Sequence, residues 1–510
     1  MVEVATPTGG IVLIALFGGF AILASLYLTR GSDGGTEDLL VARGSTATPI
    51  VIVSLIATWL WSTTLMGAAE GAMTFGVAAF WVYGFTVSWS AVLMGPILVR
   101  IRQNFPDVSS FPEYIRYRFG KEADEGKLIH GVFTFAALMQ SSAWAIIQIT
   151  GAGIVLSGVF GLPHWQAALG VGLVVTSYIT LGGLRASIMT DWIQMLAIGV
   201  LLAIVVPWAI LEAGGPSAIH EGITASSASV ANANHFVTPK IVAGWLLISA
   251  ASVEYTFINQ NVWQRVIAAD EVGDIKKIIG IAAVLWLAIP AAASLIGLVG
   301  IAEGYSGAAT EVMPWVMSEV LPGWGAALFA VVVLGAIFST TDSCLNSVST
   351  IIISDIYKPY FGSEEEVRKS KSLVIKTKIM MALIGVTVTV VGTQQFSLLY
   401  ASYAAGALTL PLAWPTAISV LLPDFNRKWG AYSVLLGTVV SVIFGALPVS
   451  GIWANPPFEV WQGYVLPNII TILGPLLGTY LYPDTGHSFE DMNEQIREET
   501  TFDDAAPADD

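Results

Sequence analysis

Residues 334–357 read LGAIFSTTDSCLNSVSTIIISDIY, an apolar helical stretch that carries Ser339, Thr340, Thr341, Ser343, Ser347 and Ser349 together with a mid-helix carboxylate, Asp342. In hydrocarbon an unpartnered hydroxyl or carboxylate costs kilocalories, so such residues face a bundle interior, a water-filled cavity or a bound ion. Two further apolar stretches are interrupted by polar groups. Residues 48–75 reach Ser62, Thr63 and Thr64 and continue through Gly67, Glu70 and Gly71; residues 240–266 carry Ser249, Ser252, Glu254, Thr256, Asn259, Gln260 and Asn261. Polar breaks at matching places in the two halves of a membrane chain point to a transporter with inverted repeats, whose broken helices present carbonyls and helix ends to an ion and a solute. For any single Ser or Thr the alternative is a bond back to its own helix carbonyl. That alternative is weaker for Glu254 and Asp342, because a carboxylate at a helix centre costs about 2.5–3.5 kcal/mol on insertion scales.

The elements that must position these groups are membrane spans. With 55% hydrophobic and 12% charged residues in 510, the chain lies far from soluble composition. Spans of about 20 apolar residues are read near 10–29, 48–75, 78–99, 129–160, 164–183, 190–212, 241–264, 278–301, 323–353, 378–394, 396–422, 430–449 and 464–482. With the N-terminus outside, every one of the 22 basic residues except Lys240 falls on an inner loop or helix end, as the positive-inside rule requires. The expectation is therefore an all-α polytopic membrane protein of about thirteen transmembrane helices. Its N-terminus is out, its C-terminus is in, and helices 2–6 and 7–11 form two inverted five-helix repeats. Residues 1–482 make one transmembrane domain with a repeat core at about 46–422. Residues 483–510 are an acidic, disordered cytoplasmic tail: ten acidic groups and one arginine lie between 484 and 510. The net charge of −15 also fits an acidic surface suited to high salt.

The first span lacks a preceding basic residue and is followed by Arg30, so it reads as a retained helix rather than a cleaved signal. A lone Cys344 excludes an internal disulfide and disfavours zinc. There is no basic footprint for nucleic acid. His130, His164, His220, His235 and His487 have no metalloprotease spacing, which argues against an intramembrane enzyme. The short tail leaves no room for a folded output domain of a sensor. A passive channel stays as an alternative, separable by sodium dependence.

Four ordered stretches, TEDLLVARGS (36–45), FPEYIRYRFG (111–120), LGGLRASIMTDWIQM (181–195) and STTDSCLNSVSTIIISDIY (339–357), resemble the sodium:solute symporter family, whose fold is the inverted-repeat, LeuT-type one. The likeness spans roughly residues 35–450. It implies a sodium ion as co-transported species, no organic cofactor, a small-molecule solute and the lipid bilayer as partners, no obligatory protein partner, and a plasma-membrane location. By position it implies sodium ligation by the carbonyls of Ala57, Leu60 and Ala336 and the hydroxyls of Ser339 and Thr340. Five neutral oxygens suit a hard cation. Asp191 matches an aspartate implicated in ion handling on the inner side, with helix N-capping by Thr190 or Asp191 as the alternative. Asp342 lies close to the implied ligands as a second candidate for ion or proton handling, its alternative being a hydrogen bond or salt bridge within the bundle.

The tryptophan-rich break at 59–84 and the stretch FINQNVWQRVIAADE (257–271) are most similar to the urea-transporter branch, although Glu254 and Asp342 depart from it. Urea is small, planar and neutral, and a fitting site offers amides and hydroxyls between aromatic planes. Trp59, Trp61, Gln140, Gln148, Glu254, Tyr255, Asn259 and Gln260 are the candidates for it, with Phe396, Tyr400 and Tyr403 as gate candidates. For each aromatic, interhelical packing or an interface belt is the competing role. Glu70 and Glu254 keep a cationic amine open, and proline, other amino acids, sugars and carboxylates remain alternatives.

Overall fold

The computed structural model describes residues 5–28, 35–44, 46–105, 108–120, 124–225, 235–239, 241–242, 245, 258–362, 366–367, 370–394, 398–447, 462–485, 489–492, 494 and 496. Among the described residues the regular structure is helical, apart from one parallel bridge between Thr46 and Ala269. Eight helices are long and apolar enough to cross a membrane, and three shorter apolar helices accompany them.

The helices that matter for function are α1 (Pro7–Leu28), α2 (Thr48–Trp59), α3 (Ser62–Phe75), α4 (Ala79–Asn104), α5 (Phe111–Arg118), α6 (Asp124–Phe160), α7 (His164–Glu212), α8 (Gln260–Ala268), α9 (Gly323–Ile351) and α10 (Leu398–Leu421). The second span is thus two helices, α2 and α3, as the polar patch predicts. The expected fifth and sixth spans form one continuous run, α7, bent at a single residue. Gly183 has φ 58° and ψ −157°, and a Cβ there would lie 2.1 Å from the Leu39 carbonyl oxygen, so only glycine fits. The sixth span consequently restarts at Leu184, earlier than the sequence boundary at 190.

At the centre lies α9. Every residue from Val332 to Ile351 is buried, so this helix is enclosed on all sides rather than amphipathic. It packs on α6, α7 and α2. Several of its hydroxyls bond back to their own helix: Thr341 to Ile337 O at 2.6 Å, Ser343 to Ser339 O at 2.7 Å, Ser349 to Leu345 O at 3.0 Å and Thr350 to Asn346 O at 2.9 Å. For Thr341 and Ser349 the packing alternative describes what the side chain does, whereas Ser343 and Thr350 also accept from Arg265 and Gln264.

At one end of the bundle the basic loops converge on α5. Ser110 caps α5 by accepting from Glu113 N at 3.0 Å and donates to Asp355 at 2.6 Å, while His130 Nε2 lies 3.2 Å from the same carboxylate. Glu113 is buried, which alone would raise its pKa; the Lys358 ammonium at 2.8 Å, the Ser109 N–H and Arg43 outweigh burial and hold it below the usual range. Arg118, also fully buried, donates to the carbonyls of Ser419, Leu422 and Pro423 at the end of α10. Its guanidinium lies 5.0 Å from the ring of Phe489, which also meets Phe105, so Phe489 packs against this end of the bundle. The chain before α2 runs alongside the chain after α8: Gly44 N bonds to Ile267 O, Thr46 N to Ala268 O and Asp270 N to Thr46 O, at 3.0–3.1 Å.

Candidate functional site

The break between α2 and α3 is built by local and distant side chains together. Leu60 leaves helical geometry at φ −90°, ψ 80°, and Trp61 is extended at φ −82°, ψ 160°. The Trp61 indole folds back to donate to Thr58 O at 2.7 Å, and Thr64 Oγ1 accepts from Trp61 N at 3.3 Å while donating to Trp59 O at 3.1 Å. These bonds replace ladder bonds that the break removes. From α6, Gln148 Oε1 accepts from Ser62 N at 2.7 Å and so caps α3 from across the bundle. From α9, Thr340 Oγ1 donates to Leu60 O at 3.2 Å.

Of the five implied sodium ligands, the structure therefore joins the Leu60 carbonyl directly to the Thr340 hydroxyl. Ser339, adjacent to Thr340, is fully buried; its Oγ makes no well-formed hydrogen bond among the described residues and interacts with the Asp191 carboxyl. Ala57 and Ala336 are fully buried as well, and Ala57 O accepts from Leu60 N at 3.1 Å.

Beside these residues sits a sealed charge network. Asp191 Oδ2 lies 3.1 Å from Arg265 Nη2 and accepts from Ser54 Oγ at 2.6 Å; both ionic side chains have 0% exposure. Arg265 also donates to Ser54 at 3.1 Å, Ser187 at 3.2 Å and Ser343 at 2.6 Å. Ser187 passes the network to Asp342 Oδ1 at 2.8 Å, and Tyr178 donates to Asp342 Oδ2 at 2.7 Å, while the Ser343 proton goes to Ser339 O. One guanidinium thus serves two carboxyl groups and ties α2, α7 and α9 to α8. The N-cap alternative for Thr190 and Asp191 is corrected by this geometry. Both lie well inside the helix that restarts after Gly183, and Thr190 bonds back to Ala186 and Ser187 carbonyls at 2.9 Å. Asp342 follows its hydrogen-bond alternative.

Arg265 is the functional residue the sequence reading missed, having been assigned to an inner helix end. A signal was present: two intramembrane carboxylates had no cation, and buried charges are paired. Ser54, Tyr178, Ser187 and Ser343 were missed because isolated hydroxyls carry no partner information.

The solute candidates separate into groups. Trp59, Trp61 and Gln148 gather at the break, and Gln140 lies on the same helix as Gln148. Trp61 stacks on Trp144 at 4.3 Å, and Gln140, Trp144 and Gln148 form one stripe of α6 at four-residue spacing. The Trp59 Nε1, Gln140 Nε2 and Gln148 Nε2 atoms and the Thr58 and Ser62 hydroxyls are buried without hydrogen-bond partners among the described residues. Gln260 is placed elsewhere: it accepts from Phe111 N at 2.8 Å and donates to Ser109 O at 3.1 Å, so its amide is committed to holding α5. Asn259 caps α8 by accepting from Asn261 N at 2.8 Å. Glu254, Tyr255 and Phe396 lie outside the described residues, as do the side chains of Tyr400 and Tyr403.

A family profile described as the sodium:solute symporter family matches residues 40–437, which include both halves of the break, the charge network and α9. The chain belongs to the sodium:solute symporter family. It is a membrane transporter, not an enzyme, in line with the reading of its spans. Human sodium-coupled monocarboxylate transporter 1 is 22% identical over 435 residues, covering 81% of this chain and 69% of that protein. Probable urea active transporter 1 of Schizosaccharomyces pombe is 23% identical over 476 residues, covering 86% and 70%. A solved Na+-coupled sialic acid symporter in its substrate-bound outward-open state superposes with TM-score 0.76 at 16% identity, covering 94% of this chain and 99% of that one. That likeness establishes the shared LeuT-type fold for this symporter-family chain.

Proposed function

We propose that the protein is a sodium-coupled symporter that imports a small polar organic solute by alternating access, with urea as the first candidate. The observation that carries the reading is the junction of the helix break with α9. A helix-end carbonyl, Leu60 O, meets the Thr340 hydroxyl, and next to it the buried Ser339 Oγ interacts with the Asp191 carboxyl without a well-formed hydrogen bond among the described residues. A buried hydroxyl without a well-formed hydrogen bond costs about 1–3 kcal/mol, so the site is set up for a ligand that supplies the missing interaction. Sodium, as cargo, suits the oxygen donors Ala57 O, Leu60 O, Ala336 O, Ser339 Oγ and Thr340 Oγ1. Ligation requires the Thr340 proton to rotate away from Leu60 O so that both oxygens face the cation. Binding then ties α2 to α9, and neutral ligands allow release. Asp191, paired with Arg265, and Asp342, held by the Tyr178 and Ser187 hydroxyls, lie beside the donor set without joining it. The urea assignment is supported by the tryptophan-rich break and by the urea transporters among the relatives.

The test is uptake of labelled urea into proteoliposomes under an inward sodium gradient, with potassium substituted at equal total salt as control. Accumulation should require sodium. The Ser339→Ala/Thr340→Ala variant should reconstitute in normal amounts and lose sodium dependence. Sodium-independent uptake, or unchanged sodium dependence in the double variant, would overturn the assignment.

A further inference from the structure

We infer that His164 is a proton-operated clasp: with both ring nitrogens protonated it ties α6 and α7 to the end of the helix Lys371–Gly392, and loss of one proton releases one of the two ties. The inference concerns how the bundle is held together and is independent of which solute or ion is carried.

The geometry is a histidine set between two acceptors. His164 opens α7; its Nε2 lies 3.2 Å from Thr150 O in α6, and its Nδ1 lies 3.2 Å from Thr393 O. A carbonyl oxygen only accepts, so both ring nitrogens must donate for both contacts to be hydrogen bonds. Neutral imidazole has one N–H and one lone pair, and in either tautomer a lone pair faces a carbonyl oxygen. Imidazolium alone serves both. The seat for the ring is built. A Cβ at Gly153, three residues beyond Thr150, would lie 2.5 Å from Nε2, so this glycine leaves the slot that the imidazole fills. Thr393 ends the helix Lys371–Gly392, and its carbonyl is one of those the helix itself leaves free. The negative end of that helix favours a cation, offsetting the amide end of α7, which His164 occupies and which disfavours one. Beside the ring, Thr150 Oγ1 donates to Gly392 O at 3.1 Å, holding the same two helices together.

Among the described residues no other titratable group shares this seat. The nearest along the elements that hold the ring are His130 in α6, Tyr178 in α7 and Lys378, about 30, 21 and 21 Å along the axes from Thr150, His164 and Gly392. α1 meets Phe160 and Leu162 through Gly10 and carries no titratable side chain between Ala5 and Leu26; α9 carries none before Asp342. Glu311 and Glu319 flank the helix around Pro314, which meets α6 at Gly158; both are exposed, and the ring's polar contacts are the two carbonyls. His164 is half-buried, so bulk protons reach it. Thr150 and His164 belong to the first expected five-helix repeat and Thr393 to the second. Protonation therefore fastens the repeats to each other at the end of α6 away from α5 and the basic loops.

The experiment is amide hydrogen exchange of the full chain in nanodiscs from pH 5 to 8, corrected for intrinsic rates and read over residues 388–394. Nitrogen-15 NMR of the histidine side chains runs in parallel, with His164→Gln identifying the His164 signals. The clasp is made by the protonated ring, so it is present at the acid end and lost as pH rises. Protection in the wild-type protein should fall about 10-fold over this range, the worth of one hydrogen bond from a charged donor, and the fall should track the His164 titration. His164→Gln, which does not titrate, and Gly153→Ala, which fills the slot and displaces the ring, should both abolish the step. Protection independent of pH in the wild-type protein, a His164 ring with a single proton at pH 5, or a step that persists in either folded variant would overturn the proposal. The first outcome needs no variant to fold.

Discussion

Removing Arg265 tests the charge network most sharply, because one guanidinium there answers for two carboxyl groups. Arg265→Met keeps much of the side-chain volume and deletes the charge. Asp191 then retains Ser54 as its hydrogen-bond donor, and Asp342 retains hydroxyls only. Breaking a buried pair by removing one partner costs about 3–5 kcal/mol, and with both members at 0% exposure no solvent screening reduces it. Asp191→Asn should cost less, since Arg265 still reaches three serine hydroxyls and, through Ser187, the Asp342 carboxyl. Combining the two substitutions removes the mismatch at Asp191, so the double variant should be more stable than Arg265→Met alone, with a coupling of about 0.5–3 kcal/mol. The assay is a double-mutant cycle on SDS-induced unfolding of the protein in bicelles. A loss below about 1 kcal/mol for Arg265→Met would refute the argument from paired buried charge. So would a double variant whose loss equals the sum of the singles.

Gly183→Ala should destabilise by at least about 2 kcal/mol, because its backbone region is reserved for glycine and the new Cβ would strike the Leu39 carbonyl at 2.1 Å. Heating followed by size-exclusion chromatography reads this, and an unchanged melting point would contradict it. Glu113 gives a pH dependence with a definite sign. Its pKa is lower in the folded protein, so its contribution is present above the ordinary glutamate range and is lost as pH falls through the depressed value, below about pH 4. Amide hydrogen exchange over Phe111–Arg118, corrected for intrinsic rates, should show steady protection near neutrality and loss of protection below that point. Glu113→Gln should remove the step; an acid profile identical in wild type and Glu113→Gln would show that Lys358 and Ser109 do not anchor α5 through this carboxylate.

Composition made the all-helical membrane fold legible, since burial in lipid constrains every span alike. The break was legible as well, although its centre falls at Leu60 and Trp61, just before the Ser62–Thr64 patch. The hydroxyls following the break mark the start of α3 rather than the break itself. What a hydroxyl does could not be read from its presence. Thr340 reaches Leu60 and Thr341 bonds back to its own helix, yet the two are adjacent and identical in type. Their roles are set by the rotation of α9 against α2, which depends on packing with α6 and α7. Gln260 shows the same limit: the sequence places it in a polar break, and the fold spends it on the α5 loop. Arg265 was hidden because a basic residue at the end of an apolar stretch satisfies the positive-inside pattern whether it points to water or inward.

The short pairing between Gly44–Thr46 and Ile267–Asp270 has a mechanical consequence. Three backbone hydrogen bonds, with Thr48 Oγ1 on Asp274 at 2.7 Å as a fourth, fasten the entry of α2 to the exit of α8. At about 0.5–1.5 kcal/mol each, pulling the two ends apart would cost about 2–6 kcal/mol, more than thermal motion supplies freely. The broken span α2–α3 and the short helix α8 are therefore hung from a common strap. Under the proposed sodium site, a tilt of α2 on cation binding would be delivered at once to α8, and with it to Arg265, so the strap would act as a crank between two levers.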